Sequence, residues 1–205
     1  MRVKLCGFTR LDQVQEAARL PVEALGFICA PASPRYVPPR TLGRLAQAAG
    51  PLLVKVGVFV NEDPARLTRI YRESGLNLAQ LHGDEDLPYL ERLTGEGVNW
   101  LKAIRVANSR DLHLIARLGL SHVLLDAKSS RAQGGTGERF DWSLAQQAAQ
   151  QAQVILAGGI TPENAAQAVA QVQPYGLDLS SGIERSPGIK DFAKIQTLLR
   201  ALGRL

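Results

Sequence analysis

The sequence predicts an α/β chain whose eight strands close into a single (β/α)8 TIM barrel with short loops, one domain over residues 1–205. Three observations predict it. Apolar runs of four to seven residues alternate with amphipathic stretches eight times along the chain. No linker, low-complexity tract or break in composition divides it. Its 205 residues suit one sizeable core and lie near that fold's lower limit of about 200. A doubly wound open sheet would have fewer strands and a glycine fingerprint in its first turn, which Cys6-Gly7-Phe8-Thr9 is not.

Taken in order, the strands fall at residues 3–6, 24–29, 53–59, 77–81, 99–104, 122–126, 153–157 and 176–180. Thr9 is placed to cap a helix from Arg10 to Leu20, and Pro39 stands near the start of the second. Asp63-Pro64 joins an N-cap to proline at the first helical position. Asp141 can cap Trp142 to Gln151, and Thr161-Pro162-Glu163 repeats the cap–proline signature before the seventh helix. Gly50, Gly75, Gly95 and Gly119 fall where helices should stop. In Lys55-Val56-Gly57-Val58-Phe59-Val60 every second residue is valine. That β-branched face is expected to pack under the helices, with Lys55, Gly57 and Phe59 on the other. On this parity Lys4, Lys55 and Lys102 point into the barrel, where Asp178 or Asp126 can pair with them; otherwise they face solvent at frayed strand ends. A buried lysine without a partner loses its proton or destabilises the fold.

Composition narrows the partners. Cys6 and Cys29 are the only cysteines and make neither a zinc spacing nor a disulfide framework, which suits a reducing cytoplasm. No apolar run approaches the ~18 residues of a membrane span, and Met1-Arg2-Val3-Lys4 leads straight into a strand, so no signal peptide is expected. The net charge is +5, yet Arg and Lys are scattered among acids with few aromatics. That argues against nucleic acid and for a phosphorylated small molecule. Monomer and homodimer both remain open.

Barrels carry their chemistry at the carboxyl edge of the sheet. There Cys6 ends the first strand and Asp126 the sixth, a thiol and a carboxylate that can act as an acid–base pair. The stretches Leu156-Ala157-Gly158-Gly159-Ile160-Thr161-Pro162 and Leu177-Asp178-Leu179-Ser180-Ser181-Gly182-Ile183-Glu184 follow strands seven and eight. In barrels these loops gather a phosphate through backbone N–H groups. Gly158, Gly159, Ser180, Ser181 and Gly182 are therefore candidate substrate contacts, with Asp178 on the same strand face as Ser180; ordinary tight turns are the alternative. Gly134-Gly135-Thr136-Gly137 lacks the Gly-Lys-Ser/Thr ending of a P-loop. It reads equally as a loop that closes over substrate through Gly135 or as plain connection. Arg35, in Ser33-Pro34-Arg35-Tyr36, is a candidate clamp for a second anion, since arginine grips a carboxylate with two parallel hydrogen bonds. Gln80 and His82 share a face at the end of the fourth strand, Arg105 is a weaker candidate after the fifth, and Cys29 reads as a small core residue.

The order Lys4-Leu5-Cys6-Gly7, Gly26-Phe27-Ile28, Ser33-Pro34-Arg35-Tyr36, Lys55-Val56-Gly57-Val58-Phe59-Val60-Asn61, Gln80-Leu81-His82-Gly83-Asp84, Leu125-Asp126, Gly134-Gly135-Thr136-Gly137, Leu156-Ala157-Gly158-Gly159-Ile160 and Asp178-Leu179-Ser180-Ser181-Gly182-Ile183-Glu184 resembles the phosphoribosylanthranilate isomerase family of tryptophan biosynthesis. The likeness runs from the first strand to the last. Phe8 departs from the more usual aliphatic residue, and Cys29 stands where an aromatic often sits. The resemblance implies an Amadori rearrangement of N-(5-phosphoribosyl)anthranilate to 1-(2-carboxyphenylamino)-1-deoxyribulose 5-phosphate, without metal or organic cofactor. It also implies Cys6 as general base and Asp126 as general acid. The substrate's phosphate then fits the turns at Gly159 and Ser181-Gly182, and its carboxylate fits Arg35. Such chemistry needs the two proton affinities brought together, Asp126 raised by burial and Cys6 lowered by a cation such as Lys4. A histidine-pathway sugar-phosphate isomerase would be expected to use two carboxylates instead. A barrel that merely binds a phosphorylated metabolite needs no thiol opposite a carboxylate.

Overall fold

The computed structural model describes residues 1–127 and 142–205. Strands β1 (Arg2–Cys6), β2 (Ala24–Ile28), β3 (Val54–Phe59), β4 (Leu78–Leu81), β5 (Trp100–Val106), β6 (His122–Ala127), β7 (Gln153–Ala157) and β8 (Gly176–Leu179) close in chain order. All pairings in the barrel are parallel, and β1 returns to β8 through the register Lys4↔Asp178. Around it lie α1 (Leu11–Ala17), α2 (Pro39–Ala48), α3 (Pro64–Glu73), α4 (Leu87–Gly95), α5 (His113–Arg117), α6 (Trp142–Ala149), α7 (Ala165–Val172) and α8 (Phe192–Ala201). This is the TIM barrel that the alternation predicts, with strand limits agreeing to within a residue or two. A short antiparallel hairpin, β9 (Glu184–Ser186) and β10 (Ile189–Lys190), was not foreseen; it precedes α8.

Some helix punctuation follows the expected chemistry and some does not. Asp63 accepts from Arg66 N at 2.9 Å with Pro64 at the first position of α3. Thr9 does not cap α1. Its hydroxyl donates to the Gly188 carbonyl at 2.8 Å, binding the first loop to the hairpin, and the helix starts at Leu11 without a side-chain cap. Before α7, Asn164 closes the loop in place of Thr161: its Oδ1 accepts from Thr161 N at 2.8 Å and its amide donates to the Gly159 carbonyl at 2.9 Å. Gly95 remains helical, and Gly97, at φ +72°, makes the left-handed turn beyond α4. Asp141 and Gly134-Gly135-Thr136-Gly137 lie outside the described residues.

The parity expected of β3 is reversed. Val56 lines the amino end of the barrel and Val58 the carboxyl end, so the valines face inward. Phe59 joins the core between sheet and helices, lying over Gly57, where a Cβ would come within 2.8 Å of its ring. Branched aliphatic side chains fill a narrow barrel, whereas a phenyl ring needs the wider layer outside it. Lys55 consequently faces outward, half-buried beside Gly50 and Gly75. Lys102 is buried but also outward, because its neighbours Leu101 and Ala103 join Leu124 and Ala157 in the interior cluster. Its ammonium donates to Glu85 at 2.7 Å and to the carbonyls of Gly83 and Leu81. Lys4 does point inward, to Asp178 at 2.8 Å.

Candidate active site

At the carboxyl end of the barrel a cavity of about 190 Å³ is lined by Cys6, Gln80, His82, Asp126, Gly158, Gly159, Asp178, Ser180, Ser181 and Gly182. The fold thus brings together residues from β1, β4, β6 and the ends of β7 and β8. Of the other candidates, Arg35 is not among these lining residues, Arg105 borders a neighbouring cleft, and Gly135 falls outside the described residues.

Cys6 projects inward because β1 ends there in phase with Lys4. The facing residue on β2 is Gly26, and a Cβ at that position would stand 2.5 Å from Sγ. Glycine therefore makes the space that the sulfur occupies. The thiol does not have the lowered pKa expected of it. Burial pushes it up; the ammonium groups of Lys4 and Lys190 pull it down, Asp178 opposes them, and the balance stays above an ordinary thiol. For Lys4 the outcome differs. Burial works against its charge, but Asp178 and Cys6 more than offset this and raise its pKa.

Asp126 is surrounded differently from expectation as well. Its side chain is 31% exposed where burial was expected, and Oδ2 lies 3.0 Å from His82 Nε2. Gln80 Nε2 lies 3.2 Å from His82 Nδ1. Where that amide donates to Nδ1, the ring proton sits on Nε2 and points at the carboxyl group. Three lining residues also bring buried oxygens that have no hydrogen-bond partner among the described residues: Gln80 Oε1, Asp178 Oδ1 and Ser180 Oγ. Desolvated oxygens of this kind destabilise a protein until something donates to or accepts from them.

The two glycine loops meet at one side of the cavity. Gly158 and Gly159 adopt φ of +75° and +67°. A Cβ on Gly182 would lie 2.2 Å from the Ile160 carbonyl oxygen, so the loops after β7 and β8 are in backbone contact. Sequence reasoning passed over two buried charges nearby. Glu184 accepts from Arg35 at 2.6 Å and from Lys190 at 2.7 Å, and Lys190 also donates to the Cys6 carbonyl. Charged residues flanking Ser186-Pro187-Gly188 were the available signal for a hairpin. Glu85, which accepts from Asn61 N and Gly83 N and pairs with Lys102, had no signal beyond its sequence proximity to His82.

A family profile for N-(5'phosphoribosyl)anthranilate (PRA) isomerase matches residues 3–201. The chain belongs to that isomerase family. An N-(5'-phosphoribosyl)anthranilate isomerase from Citrifermentans bemidjiense is 43% identical over 198 residues, 97% of this chain and 95% of its own. The crystal structure of phosphoribosyl anthranilate isomerase from Thermotoga maritima matches with a TM-score of 0.89 at 34% identity, covering 100% of both chains. Another solved isomerase, in complex with reduced 1-(o-carboxyphenylamino)-1-deoxyribulose 5-phosphate, has a TM-score of 0.85 at 32% identity over 99% of each chain. The two departures from the isomerase pattern are both core residues. Phe8 is fully buried with the Lys190 ammonium 5.4 Å from its ring centroid. Cys29 is buried, its thiol 3.7 Å from the Phe27 carbonyl and pushed up to about 12 by desolvation.

Proposed function

We infer that this chain isomerises N-(5'-phosphoribosyl)anthranilate to 1-(2-carboxyphenylamino)-1-deoxyribulose 5-phosphate in tryptophan biosynthesis, with Cys6 as general base and Asp126 as general acid. The observation that carries the assignment of roles is the cavity itself, where a thiol and a carboxyl group share one space closed at one side by two glycine loops. As the C1–O bond of the aminofuranose opens to an iminium, its ring oxygen takes a proton. Asp126, held 3.0 Å from His82 Nε2, delivers it. The C2 proton then leaves to Cys6 as the enolamine forms. Asp178, the other carboxylate in the cavity, is committed to Lys4, which favours the thiol as base. A sugar hydroxyl donating to Asp178 Oδ1 would satisfy that oxygen and weaken the carboxylate's hold on Lys4. More of the ammonium's field then falls on Cys6 and draws out the thiolate. The phosphate seats against Gly158, Gly159, Ser180, Ser181 and Gly182, and the ring carboxylate against Arg35. Anchoring both ends is the positioning contribution.

The test follows the loss of anthranilate-type fluorescence when purified protein meets freshly made substrate. Cys6→Ala and Asp126→Asn should each lower kcat by at least about 10² while KM changes little, the scale of one general acid or base. Near-normal turnover in either variant would refute the role given to that residue.

The whole chain acts as one domain, and its two free thiols suit a reducing cytoplasm. Among the described residues no helix is long and apolar enough to cross a membrane. A homodimer is the assembly that the surface favours. Leu52 is 95% exposed beside an apolar cavity at the amino end of the barrel, lined by Val22, Val54 and Leu78 among others. One similar structure, 30% identical, is of monomers generated from the dimeric Thermotoga maritima enzyme. Leu52→Glu should halve the mass seen by sedimentation if two copies meet there; an unchanged mass would place any contact elsewhere.

A further inference from the structure

Two buried charges behind the thiol, Glu184 and Lys190, are not used by the scheme above. Glu184 on β9 has a side chain only 3% exposed and lies between two cations. Its carboxylate accepts from Arg35 Nε at 3.0 Å to each oxygen and from Nη2 at 2.6 Å. On the other side Lys190, fully buried, donates to Glu184 Oε1 at 2.7 Å and to the Cys6 carbonyl. The arginine stem crosses the residue that follows the thiol: a Cβ on Gly7 would lie 2.8 Å from Arg35 Cδ, 2.9 Å from Ser180 Oγ and 3.3 Å from Lys190 Nζ.

A guanidinium can grip a carboxylate along two edges, Nε with Nη2 or Nη1 with Nη2. Glu184 occupies the first. The second is then the edge left for an incoming anion. We propose that Glu184 is a specificity-determining positioning residue, which holds Arg35 by one edge so that the other meets the ring carboxylate of the substrate, in register with Cys6 through Lys190. The proposal rests on the isomerase reading. Without the Glu184 charge the guanidinium regains rotamers and loses its fixed bearing, and recognition of the carboxylate suffers more than the proton transfers do.

The experiment compares wild type, Glu184→Gln and Glu184→Asp on N-(5'-phosphoribosyl)anthranilate and on N-(5'-phosphoribosyl)aniline, which lacks the carboxylate. Glu184→Gln should raise KM for the first about tenfold, the order of one charge-assisted hydrogen bond, and move its kcat by less than about threefold. Discrimination against the aniline substrate should fall by the same tenfold, with Glu184→Asp recovering part of it. Equal losses on both substrates, or none on either, would overturn the proposal. Should Glu184→Gln fail to fold, the wild type supplies the answer through the ¹⁵N signal of Arg35 Nε–H. It should stay protected from solvent exchange when the product saturates the site, and loss of protection on binding would show that the arginine leaves Glu184. A wild type inactive on both substrates removes the isomerase reading itself, a failure distinct from an active enzyme whose discrimination survives Glu184→Gln.

Discussion

The sulfur of Cys6 occupies space that exists because residue 26 has no side chain. A methyl group at Gly26 would stand 2.5 Å from Sγ and 3.1 Å from the Cys6 Cα, so the thiol must swing away. Gly26→Ala should therefore lower kcat by up to about 10², the cost of a misplaced reacting group, while a circular-dichroism melt still shows a folded barrel. Unchanged kcat would mean that the sulfur has latitude the packing denies. The same thiol should alkylate slowly in the free protein, because burial keeps it protonated. In a Cys29→Ala background, inactivation by iodoacetamide should accelerate with pH through the ordinary thiol range and beyond it. A plateau reached below pH 8 would contradict the raised proton affinity.

The loops after β7 and β8 act as one structural piece. Gly182 lies against the Ile160 carbonyl, and within the loop after β7 Asn164 bridges Thr161 N and the Gly159 carbonyl, so the two loops are packed backbone to backbone and the first is closed by its own side chain. In Gly182→Ala the new methyl group meets backbone oxygen at 2.2 Å, which cannot yield as a flexible side chain would. Inhibition by inorganic phosphate should weaken at least about tenfold, read as a steady-state inhibition constant, with kcat less affected. Equal inhibition of variant and wild type would move the phosphate away from this contact. The hairpin β9–β10 plays a comparable part on the other side of Cys6, held to the first loop by Thr9 and Gly188.

Stability of the molecule as a whole responds to Cys29, which takes no part in the proposed chemistry. Its thiol is pushed up to about 12 in the native state, against about 9 for a free thiol. Between those values the unfolded chain has released a proton that the folded chain retains. Stability is therefore unaffected by this group below about pH 9 and falls above it, by about 1.4 kcal/mol per pH unit. Cys29→Ala starts with a packing defect but lacks this decline. Urea unfolding at pH 8 and pH 10.5 should show the gap between wild type and variant narrowing; parallel losses would rule out the thiol as the cause.

The order of strands, the barrel and the position of Cys6, Asp126 and the glycine loops at its carboxyl edge are all legible in the sequence. Each depends on local periodicity and on where a strand stops, and both are written in neighbouring residues. The facing of β3 was not, because Lys55-Val56-Gly57-Val58-Phe59 alternates equally well either way, and the narrow interior alone selects valine over phenylalanine. Thr9 looked like a cap, but a hydroxyl takes whichever acceptor the fold brings to it, here a carbonyl 179 residues away. Glu184 and Arg35 are 149 residues apart, and Lys190 and the Cys6 carbonyl 184. The proton affinity of Cys6 comes from such distant pieces, from burial set against Lys4, Lys190 and Asp178. Charges and desolvation act through space, so their sum exists only once the barrel has closed.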